Sequence, residues 1–233
     1  MITHLALIPD GNRRWAKKRG FLPWQGHVKG AKNLEKILKK VWELKIPYFT
    51  FWGMSADNFS KRPKEEVKML LQIFKNYFSK ILKSKEPKEK GIKINVFGKW
   101  KEVFPPSLKE TIKKVIEKTK NNQNFVLTFL LAYNGTDEML EAIAKIVKKA
   151  KKENFKITEK ILLENLWTGS LPPVDLVIRT GCQGDPHNSA GFMMWLTSYS
   201  QLYFTKTLFP DFSPQELEMA IKNFEKRERR MGA

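Results

Sequence analysis

Leu7-Ile8-Pro9-Asp10-Gly11-Asn12-Arg13-Arg14-Trp15-Ala16 is the stretch on which the reading of this 233-residue chain turns. An apolar run, His4–Ile8, reads as a strand. A carboxylate follows it, Gly11 and Asn12 permit a tight turn, and two arginines open a helix. Backbone N–H groups at such a helix start receive phosphate oxygens. Asp10 suits a hard cation such as Mg²⁺, which bridges a carboxylate and phosphates. The same letters also spell a plain turn with Asp10 capping a helix.

Outward from this stretch, short β-rich runs alternate with longer helical patterns. The further runs are Tyr48–Met54, Ile92–Phe97, Phe125–Tyr133, Asp175–Ile178 and Leu202–Phe204. Between them the apolar period is near 3.6: Leu34, Ile37, Leu38, Val41 and Trp42, then Val67, Leu70, Leu71 and Phe74, then Met139, Ile143, Ile146 and Val147. The alternation predicts an α/β fold, a single domain over residues 1–233 with a central, mostly parallel sheet of about six strands flanked by helices. Lys-rich Lys83–Gly91 reads as a loop inside that domain. Ligands of such sheets bind beyond the carboxyl ends of the strands. That places the chemistry in Pro9–Trp15, Ser55–Pro63, Asn134–Glu138 and Arg179–Ser189.

Bulk properties agree with a globular chain. Hydrophobic residues make up 42%, and no apolar run reaches the roughly 20 residues that span a bilayer. The start lacks a signal peptide's features and the single Cys182 forms no internal disulfide, so a cytoplasmic protein is expected. The formal charge of +19 predicts attraction to polyanions, including contact with an anionic membrane surface. Nucleic acid is not expected as a partner, because no aromatic–basic surface motif or reading helix is present. Arginine is more telling than lysine. It occupies only eight positions, and its rigid fork of donors matches phosphate oxygens.

Two further segments fit phosphate chemistry. Ser55-Ala56-Asp57-Asn58-Phe59-Ser60-Lys61-Arg62-Pro63 gathers hydroxyl, amide and guanidinium groups after a strand. Glu65 and Glu66 behind it read as a helix first turn. His27 sits between Gly26 and Gly30, whose missing side chains allow close backbone approach. Nucleotide-loop, dinucleotide, zincin and serine-hydrolase signatures are absent.

Together these segments resemble the cis-prenyltransferases. Asp10 to Ala16 with Gly26, His27 and Gly30 is similar to that family's first signature. Ser55 to Pro63 resembles its second, usually Ser-x-Glu-Asn-[Trp/Phe]-x-Arg. Tyr133-Asn134-Gly135 resembles the third and Asp175 to Gly181 the fourth; Phe192 to Phe204 and Arg230-Met231-Gly232 are similar to its closing segments. The resemblance implies a homodimer that adds isopentenyl diphosphate to an allylic diphosphate, farnesyl or similar, giving a polyprenyl diphosphate lipid carrier. It implies catalytic Asp10, holding Mg²⁺, and Asn58 near the reacting carbons with Ser55. Gly11, Asn12, Arg13 and Arg14 would cradle the allylic diphosphate beside Trp15 and His27. Phe59 would take the aromatic position, Arg62 and Arg179 would face phosphates, and Arg230 and Gly232 would reach the site near a subunit boundary. Residues between Val67 and Phe78 and along Phe125–Leu131 would line a tunnel for the growing chain or simply fill the core.

The sequence also departs from the pattern. Pro23 stands where the family has Arg, and an extra residue in the second loop leaves Lys61 or Arg62 as its basic position. The fourth signature continues as Cys182-Gln183-Gly184-Asp185-Pro186-His187-Asn188-Ser189, longer and without its second Arg, so His187 and Ser189 become the nominees for isopentenyl diphosphate. The family's metal-binding Glu is Gln201, for which Asp185 could substitute. These departures keep two alternatives open: a divergent member making a short or branched product, and a non-catalytic partner subunit.

Overall fold

The computed structural model describes residues 1–227. In chain order the elements are β1 (His4–Ile8), α1 (Asn12–Lys17), α2 (Pro23–Glu43), β2 (Tyr48–Met54), α3 (Ala56–Lys61), α4 (Lys64–Lys83), α5 (Glu86–Glu89), β3 (Ile92–Phe97), α6 (Trp100–Val103), α7 (Pro106–Thr119), β4 (Phe125–Leu131), α8 (Gly135–Ala150), α9 (Glu159–Asn165), β5 (Leu176–Arg179), β6 (Gln201–Phe204) and α10 (Pro214–Glu225). Three strands carry the bounds expected from the sequence. The Lys83–Gly91 stretch departs from expectation by holding the short helix α5, which buries Pro87.

The six strands are all parallel, in the order β3-β4-β2-β1-β5-β6. From β1 the chain lays down β2, then edge strand β3, then β4 between them on one side, and returns to place β5 and β6 on the other. Its carboxyl end is therefore the topological switch point, where open α/β sheets form their crevice. Asp10 lies two residues past that end.

Both faces of the sheet are covered. One core joins Leu5, Leu7, Phe49, Phe51, Leu127 and Phe129 to Leu34, Ile37 and Val41 of α2, Leu70 and Phe78 of α4, and Ile112 of α7. The other joins Ala6, Ile8, Trp52 and Leu130 to Phe192 and Leu196. This double cover is why β4 reads as an unbroken apolar run. Each large apolar side chain buried this way stabilises the fold by about 1.5–3 kcal/mol before conformational entropy is counted. α8 is an exception to its own periodicity. It buries Glu138, Ala142 and Ile146, whereas Leu140, Ile143 and Val147 form an outward apolar stripe.

Candidate active site

A cavity of about 1150 Å³ opens at the carboxyl ends of β1 and β2 and runs inward between the sheet and helices α2 and α4. Polar groups gather at its mouth, among them Asp10, Asn12, Arg13, Arg14, His27, Ser55, Asn58, Arg62, Arg179 and Ser189. Deeper in, Leu34 and Phe51 meet Leu70, Ile73, Phe74, Tyr77, Phe78 and Phe129. Of the strand Phe125–Leu131 only Phe129 lines this space; Phe125, Leu127 and Leu131 share its face but fill the core, and Val126 and Leu130 pack on the other face.

The mouth is built around the turn after β1. Gly11 has φ of +105°, which favours glycine, and its N–H donates to Asp10 Oδ1 at 2.7 Å. The Asp10 carbonyl accepts from Phe209 N at 3.0 Å and Thr180 Oγ1 at 2.9 Å. Asn12 Nδ2 donates back to Pro9 O at 2.9 Å. α2 then crosses this turn at very close range. A Cβ on Gly26 would lie 2.0 Å from Asn12 O, and one on Gly30 would lie 2.2 Å from Asn12 Oδ1. The two glycines, four residues apart on one helix face, bring His27 to the mouth.

Three basic or basic-capable side chains converge there on one carboxylate. Glu66, 6% exposed, lies 3.5 Å from Arg13 Nε, 3.2 Å from Arg62 Nη1 and 3.4 Å from His27 Nε2. Arg62 Nη1 is also 3.2 Å from His27 Nε2. Burial holds His27 below its ordinary imidazole value, opposed by the contact with Glu66. The His27 contact, with help from Arg62 and Arg13, holds the Glu66 carboxyl below the usual carboxylate range. Around neutral pH the cluster is therefore a neutral His27 and an ionised Glu66 between two guanidinium groups. Glu66 was read from sequence as a helix first turn. Its partner Arg62 lies outside α4, in extended backbone before Pro63, so no helical spacing in the sequence signals the contact.

Lys61 and Arg62 both line the cavity, and they are held differently. Arg62 is 16% exposed and fixed beside Glu66 and His27, whereas Lys61 is 76% exposed and paired to Asp57 at 2.9 Å. Ser55 caps α3 by accepting from Asn58 N at 3.0 Å. Asn134 fastens this loop, donating to Asp57 Oδ1 at 2.8 Å and accepting from Ala56 N at 3.2 Å.

Arg179 links the first signature to the rewritten loop. Its Nη2 donates to Asp10 Oδ2 at 3.1 Å and its Nη1 to the His187 carbonyl at 2.6 Å. Arg14 Nη2 donates to Gly181 O at 2.6 Å and lies 3.5 Å from Asp10 Oδ1.

Several nominees are not brought to the cavity. Trp15 is buried against Leu208, donating to Asp211 Oδ1 at 2.7 Å. Phe59 packs on Phe104 and faces a separate groove with Val67, Leu71 and Leu108. The His187 ring, half exposed, contacts Asp185 instead, so only its carbonyl serves the site, and Asp185 is itself exposed. Gln201 pairs in register with Leu176, and Leu176 with Leu5, at the amino end of the strands. That row lies five residues back from Asp10, roughly 16 Å along a strand. Gln201 Oε1 accepts from Arg227 there, at 3.0 Å. Arg230 and Gly232 lie outside the described residues.

The donor set at Asp10 suits magnesium held jointly with substrate. Among the described residues no group of three His, Cys, Asp or Glu could enclose a metal. Asp10 instead offers one half-exposed carboxylate at a cavity mouth ringed by Arg13, Arg14, Arg62 and Arg179. Mg²⁺ commonly binds through one or two carboxylates, waters and substrate phosphates.

Residues 8–232 match the prenyltransferase family model described as undecaprenyl diphosphate synthase. The chain is 38% identical over 232 residues to a tritrans,polycis-undecaprenyl-diphosphate synthase (geranylgeranyl-diphosphate specific) of Pyrococcus abyssi, covering 98% of this chain and 86% of that one. It is 38% identical over 229 residues to an isoprenyl transferase of Fusobacterium nucleatum, covering 98% and 95%. Its fold is similar to lavandulyl diphosphate synthase from Lavandula x intermedia, solved with dimethylallyl diphosphate, at a TM-score of 0.90 and 28% identity over 100% and 98% of the two chains.

Proposed function

Since the chain belongs to the undecaprenyl diphosphate synthase family of cis-prenyltransferases, we propose that it condenses isopentenyl diphosphate with an allylic diphosphate, in a Mg²⁺-dependent reaction, to build a polyprenyl diphosphate lipid carrier. The observation that carries this reading is the cavity itself, with Arg13, Arg14, Arg62 and Arg179 at the mouth and an apolar interior behind them. We read residues 1–233 as one domain, supported by the single sheet.

In the reaction the allylic carbon–oxygen bond breaks and its electron pair leaves with the diphosphate. A carbon–carbon bond forms to the isopentenyl double bond, and a proton is lost from the isopentenyl unit. Asp10 would hold Mg²⁺, which when bound neutralises charge growing on the departing diphosphate. Gly11, Asn12, Arg13 and Arg14 receive that diphosphate, with Arg62 and neutral His27 beside it. Donors already fixed where charge develops are worth about 3–4 kcal/mol each. Ser55 and Asn58 sit near the reacting carbons, and Arg179, braced by the His187 carbonyl, forms with Ser189 the side offered to isopentenyl diphosphate. The apolar interior excludes water from the allylic cation.

Two observations speak to assembly and product. The outward stripe Leu140, Ile143 and Val147 on α8 supports a homodimer, because a monomer gains nothing by exposing it. The apolar lining of Leu70, Ile73, Phe74, Tyr77, Phe78 and Phe129 behind the mouth supports room for a growing chain. The test is incorporation of isopentenyl diphosphate by the purified chain with farnesyl or geranylgeranyl diphosphate. Mg²⁺-dependent incorporation is expected. None with either primer would favour a non-catalytic subunit instead.

A further inference from the structure

The segment between α1 and α2 forms part of the cavity lip; Phe21 rests one face on the Trp15 ring, 6.0 Å between centroids, and Leu22 stands farther out. Lys17, Gly20, Phe21 and Pro23 line the opening. Phe21 is 47% exposed and Leu22 is 58% exposed, yet their backbone is firmly held. Phe21 N donates to Ala16 O at 3.0 Å and Leu22 N to Gln25 Oε1 at 2.8 Å. Arg19 Nη2 donates to Asp211 Oδ2 at 3.0 Å, and the Arg19 guanidinium stacks 4.3 Å from the Trp15 ring. A backbone held this way leaves about half of each of these two large apolar side chains in water, and burying that surface would be favourable.

Charge beside the loop is one-sided. Lys17 and Lys18 carry no ion pair among the described residues, and Asp211, the carboxylate facing this segment, is engaged by Arg19. Apolar side chains next to unpaired lysines are the two signals that together give stable docking to an anionic bilayer, where either alone is weak. The position adds a reason. Resting on the reading of the cavity as a prenyl-chain site, its cargo is an amphiphile with an anionic head at this mouth, and a bilayer is where such a molecule is stored.

We propose that Lys17–Pro23 docks the cavity mouth onto an anionic lipid surface, with Phe21 and Leu22 entering the interface and Lys17 and Lys18 meeting the headgroups. The occupant is a bilayer rather than a second copy of the chain, for which two like-charged lips would meet face to face.

The test uses the full chain and sedimentation with vesicles of phosphatidylcholine, with and without phosphatidylglycerol. The double variant Lys18→Gln/Leu22→Ser alters neither a cavity-lining residue nor the fold, since serine is a favoured helix N-cap. Binding to the anionic vesicles, weakened by salt, is expected for the unmodified chain. The double variant should bind roughly thirtyfold more weakly, with turnover in detergent unchanged. Lys148→Gln/Lys149→Gln on α8 should bind nearly as the unmodified chain does. Equal binding by the lip variant, equal loss from the α8 variant, or no binding by the unmodified chain would overturn the proposal. A fall in mass by light scattering for the lip variant without lipid would overturn it in favour of self-association. Turnover is scored separately, so a chain that docks without catalysis refutes the enzymatic reading and leaves docking standing.

Discussion

Two halves of one cavity mouth are built on opposite plans. Around Asp10 to Arg14 α2 packs so closely that Gly26 and Gly30 leave no room for a side chain, Arg13 is held with Arg62 by buried Glu66, and Arg14 by the Gly181 carbonyl. In residues 182–188 the chain is largely exposed, and what ties it to the site is a single backbone carbonyl held by Arg179. The first half holds its donors in place before any diphosphate arrives. The second half leaves most of its side chains in solvent. Pre-fixed donors are the ones whose removal costs most.

The sharpest way to break this contrast is Asp10→Ala. Turnover should fall about 10²–10³-fold, with binding of the allylic diphosphate within a few-fold, as assayed by kinetics alongside direct binding. Glu66→Gln comes next. It leaves Arg13 and Arg62 facing each other without their shared carboxylate, which should cost about 2–3 kcal/mol in urea unfolding and about tenfold in turnover.

A pH test separates the halves by another route. His27 is held below its ordinary value by burial, so as pH falls below about 6.5 the unfolded chain takes up a proton first. Stability is then full above that pH and declines toward acid. His4, buried between Pro172 O and Thr50 Oγ1 and pushed down to about 4, adds a contribution of the same sign. The unfolding midpoint should therefore drop between pH 6.5 and about 4, and His27→Asn should flatten part of the slope. A midpoint that rises over that window would refute the neutral His27. The smallest effect belongs to the loop. His187→Ala removes only a ring that touches Asp185, so turnover should change less than about threefold.

What was legible in the sequence follows the same division. The β1, β2 and β3 bounds, the parallel sheet and the tight turn after Asp10 could be read because each is encoded locally, by apolar runs and by turn residues next to them. Glycines 26 and 30 were legible as sites of close approach, though not what they approach. Glu66 escaped because its role depends on α1 and α2 converging on α4. Trp15 and Phe59 were placed at the substrate by resemblance, but a motif fixes sequence neighbours and not which side of a helix faces the cavity. Gln201 was matched to a metal position that strand register puts at the opposite edge. On α8 the period correctly gave a helix, but Ile143 and Val147 face outward, toward a surface that one chain cannot define.

The central claim is that a fixed diphosphate cradle opens into a compartment deep enough for a growing chain. Product length tests it most directly: the purified chain is incubated with Mg²⁺, an allylic primer and excess isopentenyl diphosphate, and the products are sized by mass spectrometry. Products several isoprene units longer than the primer are predicted. A product that stops after one addition would contradict the account.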